Sequence, residues 1–300
     1  MTNAPILDAR FQEAVAAIDA GNLSALSNLL NAHPRLVRER LEAPGAWLRA
    51  QIGNALDDFF SRPYLLWFIA EDPVRNNSLP PNIAQIARII IQAAQREAAN
   101  TLREQLDYAL RLVAWSWVAR KSGVQNELLD VLIDAGATLH ETITHDALVN
   151  GNFSAAAHLI KRGAKLTLAT ALCLEQWEEA NPLAQTASAH DKQIALVLAA
   201  LHGKAEALAK LLALGVEVNA YSTEIYTHAT ALHHAVGSGV LAAVKALVEA
   251  GADLAIKDRA WHATPLQWAE HYLQEAKTET VCEKYHAIAA YLRRAITAQK

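Results

Sequence analysis

Cysteine is almost missing: Cys173 and Cys282 are the only two in 300 residues, and they stand far apart. That excludes a secreted disulfide framework and a structural zinc site, both of which need several thiols at close spacing. Long apolar runs are missing too. The longest, Ile194 to Leu201, is far too short to cross a bilayer. The opening, MTNAPILDARFQEAV, lacks the basic segment followed by an apolar one that marks an export signal. Nor is one sign of charge in excess: the formal net charge is −4, with acids and bases interspersed. A nucleic-acid-binding chain would concentrate a positive field instead. The one basic run, Arg35-Leu36-Val37-Arg38-Glu39-Arg40, is interrupted by Glu39 and followed by Glu42, and reads as a solvated face or loop. The expectation is a soluble cytoplasmic monomer with no nucleic-acid or membrane partner.

Catalytic motifs are missing as well. There is no G-x-S-x-G, no H-E-x-x-H, no phosphate-cradling glycine loop and no paired cysteines. No catalytic residue, metal or cofactor is therefore expected.

What the chain does have is apolar bulk and an echo. The hydrophobic fraction is 52%, enough for a substantial core. HATALHHA at residues 228–235 is nearly repeated as HATPLQWA at residues 262–269, starting 34 positions later. A fixed period of a few tens of residues means stacked units, each too small to bury its own apolar face. In the first copy, Thr230 to Ala235 opens a short helix with Thr230 placed to cap free N–H groups. Gly237-Ser238-Gly239 breaks it. A second helix follows, with Val240, Val244, Leu247 and Val248 on one stripe and Lys245 and Glu249 outside it. Gly251 supplies the left-handed residue that closes a helix C-terminus. The loop Lys257 to Trp261 leads to the second copy, where Pro265 sits in the first turn.

This order resembles the ankyrin repeat. Its T-P-L-H-x-A signature is matched by Thr230-Ala231-Leu232-His233-His234-Ala235 and by Thr264-Pro265-Leu266-Gln267-Trp268-Ala269. Its L-x-x-x-G-A ending is matched around Gly136, Gly163, Gly215 and Gly251. The joined pattern is similar to uncharacterised bacterial ankyrin-repeat proteins, a group that supplies a fold and a role class only. The resemblance implies an all-α ankyrin-repeat solenoid of about seven to eight helix-turn-helix units in one domain. The units fall near residues 6–34, 61–96, 100–137, 140–165, 166–189 (degenerate), 190–220, 225–257 and 262–298. Residues 97–120 read as one lengthened helix, Asp72–Pro80 as an insertion, and Cys282–Ala298 with Lys300 as a capping helix with one wet face.

Histidine and aromatic residues gather in the last units. His228, His233, His234, His262 and His271 are close in sequence, with His202 one repeat earlier, and neutral imidazoles can bind transition metals. For His233, at the signature position, a structural hydrogen-bonding role outweighs ligation, and Gln267 occupies the same slot one repeat on. His228 and His262 stand where the family places glycine; as loop-tip groups they read first as solvated. His234 and Trp268 occupy the variable slot that tends to face the concave surface in this family, as do Phe68 and Leu198. Trp261 lies in a projecting loop, and for Trp261 and Trp268 interface and core weigh equally; Trp67, Trp115, Trp117 and Trp177 read as core. The loop from Asn219 to Thr230 is long for the family and carries Tyr221 and Tyr226 towards Trp261 and His262. Glu270 and His271 lie at the far end of the neighbouring helix.

The candidate binding set is thus Tyr221, Tyr226, His228, His234, Trp261, His262, Trp268, Glu270 and His271. The resemblance implies a scaffold that binds a protein or peptide through its concave face and loop tips. The alternative is a small-molecule or metal-dependent site, in which Glu270 serves as acid/base or supporting group.

Overall fold

Alanine and leucine at three- and four-residue spacing favour helices with one apolar face. The computed structural model of the chain describes residues 4–97 and 99–298. Among the described residues there is no strand, only a single antiparallel bridge between Tyr221 and Thr230. Two compact units divide the chain, Met1–Lys165 and Leu166–Lys300.

In the first unit, α1 (Ala4–Asp19), a 3₁₀ turn (Leu65–Ala70), α5 (Leu102–Trp115) and α8 (Ile143–Val149) pack one on the next. A second row of α2 (Leu23–Ala32), α4 (Ile83–Arg96), α7 (Gln125–Asp134) and α9 (Phe153–Lys161) backs them. The logic is clearest in α4. Ile83, Ile86, Ala87, Ile90 and Ala94 are buried at helical spacing, and each fully buried isoleucine contributes about 1.5–3 kcal/mol.

Three expectations for this unit need correction. First, the basic run 35–40 is only in part a solvated face, and the residues after it add to the core. Leu36 and Val37 are buried, and α3 (Ala46–Ile52) with a following 3₁₀ turn buries Leu48, Ile52 and Leu56. The arginines of the basic run do reach the surface, yet Arg40 lies 4.4 Å over the Tyr64 ring and pairs with Glu104. Second, the unit 61–96, expected as a helix pair, opens with a 3₁₀ turn, Leu65–Ala70, whose six side chains are all buried. Glu71 ends it in a left-handed conformation (φ 50°), its carboxylate accepting the N–H groups of Arg75, Asn76 and Asn77. Third, residues 97–120 do not form one helix. The chain breaks at Ser116 between α5 and α6 (Trp117–Lys121), because the Ser116 Oγ accepts from the Ala119 N–H at 3.0 Å and donates to the Ala70 carbonyl at 2.5 Å. The break turns Trp117 outward, leaving it 37% exposed under the Lys121 ammonium rather than in the core.

In the second unit, α10 (Leu168–Cys173), α12 (Ala189–Leu201), α14 (Ala231–Gly237) and α16 (Pro265–Gln274) stack in sequence. Behind them α13 (Ala205–Ala213), α15 (Leu241–Glu249) and α17 (Glu279–Ala298) form the second row, while α11 (Trp177–Thr186) packs on α10. The apolar run Ile194 to Ala200 is buried all round, as a central helix requires. On α15 the buried stripe is Ala243, Val244 and Leu247. Val240 precedes that helix and is 37% exposed, contrary to the expected stripe. It covers Gly203, whose φ is +62° and where an added Cβ would fall 2.4 Å from the valine Cγ2. Helix α17 buries only Tyr285, Ile288, Ala289 and Leu292, one face of a terminal element. Lys300 lies outside the described residues. Both cysteines are free; burial pushes the Cys173 thiol up to about 12, leaving it inert at neutral pH. No helix among the described residues is long and apolar enough to cross a membrane.

Candidate functional site

One turn of the second unit closes on a carboxylate. Asp258 is buried, and its two oxygens accept the backbone N–H groups of Ala260 (2.8 Å), Trp261 (2.6 Å) and Ala263 (3.0 Å) and the indole Nε1–H of Trp268 (2.9 Å). Burial by itself would raise this acid. The donors, led by the Trp261 N–H and the Trp268 indole, hold it below the usual carboxylate range. One side chain therefore fixes the turn 258–263, holding Trp261 by its backbone and Trp268 by its ring. The Arg259 N–H, donating to the His228 carbonyl at 2.7 Å, ties this turn to the preceding loop.

Helix α14 supplies the floor. Thr230 opens it with its N–H on His233 Nδ1 at 3.3 Å, while His233 Nε2 reaches the Ala263 carbonyl at 3.0 Å. A neutral ring protonated at Nε2 satisfies both contacts, and burial lowers this histidine's pKa accordingly. That is the structural role read for His233, and Gln267 repeats half of it by accepting the Thr264 N–H at 2.8 Å.

On this frame the rings form a web centred on His228 and Trp268. The His228 ring centre lies 6.1 Å from Tyr226, 6.0 Å from His234, 5.4 Å from Trp261 and 6.2 Å from Trp268. The web continues from Trp261 to Trp268 at 5.7 Å, on to Tyr272 at 6.3 Å, and to Tyr285 of α17 at 5.0 Å. Tyr285 is anchored in turn by its hydroxyl on the Gly237 carbonyl at 2.9 Å. Trp261, Ala263, Gln267, Trp268, His271 and Tyr272 enclose a surface pocket of about 380 Å³.

Tyr226, His228, His234, Trp261 and Trp268 are brought together, and His271 joins at the edge, 5.8 Å from Tyr272. The remaining candidates go elsewhere. The Tyr221 ring lies 4.0 Å under the Arg259 guanidinium, with its hydroxyl on the Lys257 carbonyl. Glu270 pairs with Arg293 at 2.7 Å. His262 stays exposed at the turn, with φ +54°. His228 is half-buried in the web rather than solvated. His234 is 3% exposed, so the variable slot faces inward here, as it does for the buried Phe68 and Leu198. Burial, then the nearby His228 and His233, push the His234 imidazole down to about 4; its Nε2 is buried without a hydrogen-bond partner. Sequence reasoning missed Asp258 and Tyr272. The signal for Asp258 was present in Asp258-Arg259-Ala260-Trp261, since an aspartate opening a turn captures the N–H groups two and three residues on.

The site can hold a flat or cationic group between rings. Among the described residues no three His, Cys, Asp or Glu side chains are grouped to hold a metal ion.

A family model of three ankyrin repeats matches residues 167–258 and 196–282. The second unit belongs to the ankyrin-repeat family. Ankyrin repeats generally mediate protein–protein interaction and typically serve as non-enzymatic scaffolds. Among solved structures, the chain is similar to the ankyrin repeat domain of Bcl-3, a member of the IkappaB protein family, at 20% identity and TM-score 0.35, over 91% of this chain and 97% of that one. It is similar also to the human ASB11 ankyrin repeat domain, at 18% identity and TM-score 0.31, over 70% of this chain and 97% of that one. No curated protein matches the chain. The ring web occupies the last two projecting loops and the two short helices that follow them, and reaches Tyr285 of α17.

Proposed function

We propose that the last ankyrin repeats bind a protein or peptide partner through the surface formed by Tyr226, His228, Trp261, Trp268 and Tyr272. One observation carries this reading: Trp261 is 68% exposed, yet its backbone and ring are both braced by neighbours. Its N–H is fixed on Asp258 and its ring rests against His228 and Trp268. A large ring presented to solvent and braced by neighbours suits an interface anchor, because less ordering entropy is lost on binding. The enzymatic alternative finds less support, since Glu270 is engaged by Arg293 and not by the web.

The test is capture of partner from the native host's lysate by wild type and by Trp261→Ala. Loss of a central aromatic anchor costs about 2 kcal/mol or more, roughly a thirtyfold drop in affinity. The exposed ring contributes little to stability, so the melting temperature should hardly move. Equal capture by both chains would overturn the reading.

A further inference from the structure

We propose that the pocket walled by Trp261, Trp268 and Tyr272 receives a methylated ammonium group. The inference rests on the preceding reading in one respect: the group's expected carrier is a methylated lysine side chain of the partner. It can equally be carried by a free quaternary amine, and the experiment separates the two.

Three observations support it. The first is shape. Trp261 and Trp268 meet at 67° and Trp268 and Tyr272 at 73°, so the rings form walls rather than a stack around about 380 Å³. Ring faces set at angles surround a cation with negative π density on several sides, within the roughly 6 Å over which the attraction acts.

The second is charge. The Asp258 carboxylate is bonded to the Trp268 indole N–H at 2.9 Å, placing a negative charge behind that wall. No lysine or arginine lines the pocket. The nearby guanidiniums are engaged elsewhere, Arg259 on the Tyr221 ring and Arg293 on Glu270. His234, against the back of Trp268, carries no charge at neutral pH. A cation is favoured, and an anion meets no donor cluster.

The third is hydrogen bonding. An unmodified ammonium carries three donors that need acceptors. The side chains lining the pocket offer as acceptors only the Gln267 amide, which already holds the Thr264 N–H, one edge of His271 and the Tyr272 hydroxyl. A methylated head has few or no donors to satisfy and exposes methyl groups to the rings, so it is desolvated at lower cost.

The experiment titrates the full chain at pH 8, following tryptophan fluorescence. The probes are choline, its neutral isostere 3,3-dimethylbutan-1-ol, and two copies of one short peptide, with trimethyllysine and with plain lysine. Choline and the trimethyllysine peptide are expected to saturate the signal. The neutral alcohol and the lysine peptide should each bind at least tenfold more weakly than their methylated cations. Trp261→Leu and Tyr272→Leu keep apolar bulk but remove a π face, and each should weaken choline at least tenfold with the melting temperature near wild type. Tighter binding of the trimethyllysine peptide than of choline assigns the group to a partner side chain; the reverse order assigns it to a free amine. Equal binding of choline and the alcohol, or no binding of either cation by the folded chain, overturns the proposal. Partner capture that still depends on Trp261 would then leave the previous reading standing.

Discussion

Asp258 sets the geometry of the candidate site although it forms none of its surface. Four N–H groups converge on a side chain that is 1% exposed. Removing it strands those donors in a buried turn, and each stranded buried donor costs about 1–3 kcal/mol unless water reaches it. Water can enter a surface turn, so Asp258→Ala is expected to destabilise the second unit by about 2–3 kcal/mol overall. It should also free the Trp268 ring. Urea unfolding followed by tryptophan emission measures both. An unchanged midpoint with an unchanged native spectrum would show that the carboxylate is dispensable. Asp258-Arg259-Ala260-Trp261 signals a turn in the sequence, but not that the Trp268 indole shares its carboxylate.

Elements followed the local chemistry wherever that chemistry was strong. The capping pair Thr264 and Gln267, Pro265 at the helix start and the positive-φ Gly251 at a helix end delimit α16 and α15 as the residue types require. Elements departed from expectation where a long-range contact overrode local preference. Nothing in the sequence around Ser116 demands a break, for Leu102 to Lys121 is good helix material. The break exists because Ser116 Oγ finds the Ala70 carbonyl, 46 positions away. Ser116→Ala should cost about 1–2 kcal/mol by loss of both the cap and this buried bond. Thermal melting checks the cost, and no loss would mean that the break is set by packing alone. Val240 and Trp117 belong to the same class, since their exposure is decided by which neighbour covers them and not by their own apolarity.

At the scale of the whole molecule, one buried group in each unit contributes a pH dependence opposed to the other's. In the second unit His234 sits at about 4 when folded against 6.5 in its ordinary state. Between those values the unfolded chain binds a proton that the folded chain refuses, so stability falls as the pH drops through the window, by at most about 1.4 kcal/mol per pH unit. In the first unit burial, and then the charge of Glu71, raise Asp72 from 3.8 to about 6. There the folded chain holds the extra proton, so stability rises as the pH drops from about 6 towards 3.8. His234→Phe should therefore flatten the acid loss between pH 6.5 and 4. Asp72→Asn should stabilise by about 1 kcal/mol at pH 7.5, with the gap closing near pH 4. Calorimetry across that range reads both effects. A wild-type slope in His234→Phe would remove His234 as the source.

The sequence by itself determined the repeat, the all-helical character and the crowding of rings near its end, because period, capping residues and glycine stops act over a few neighbours. It placed Tyr226, His228, His234, Trp261 and Trp268 in one neighbourhood, since stacked units bring equivalent positions together. Tertiary structure alone decided that Tyr221 turns to Arg259, that Glu270 is taken by Arg293, that His234 faces inward, and that Asp258 and Tyr272 complete the pocket. Those outcomes depend on competition among distant partners for one charge, one ring face or one hydrogen bond, and such competition is settled only when every neighbour is in place.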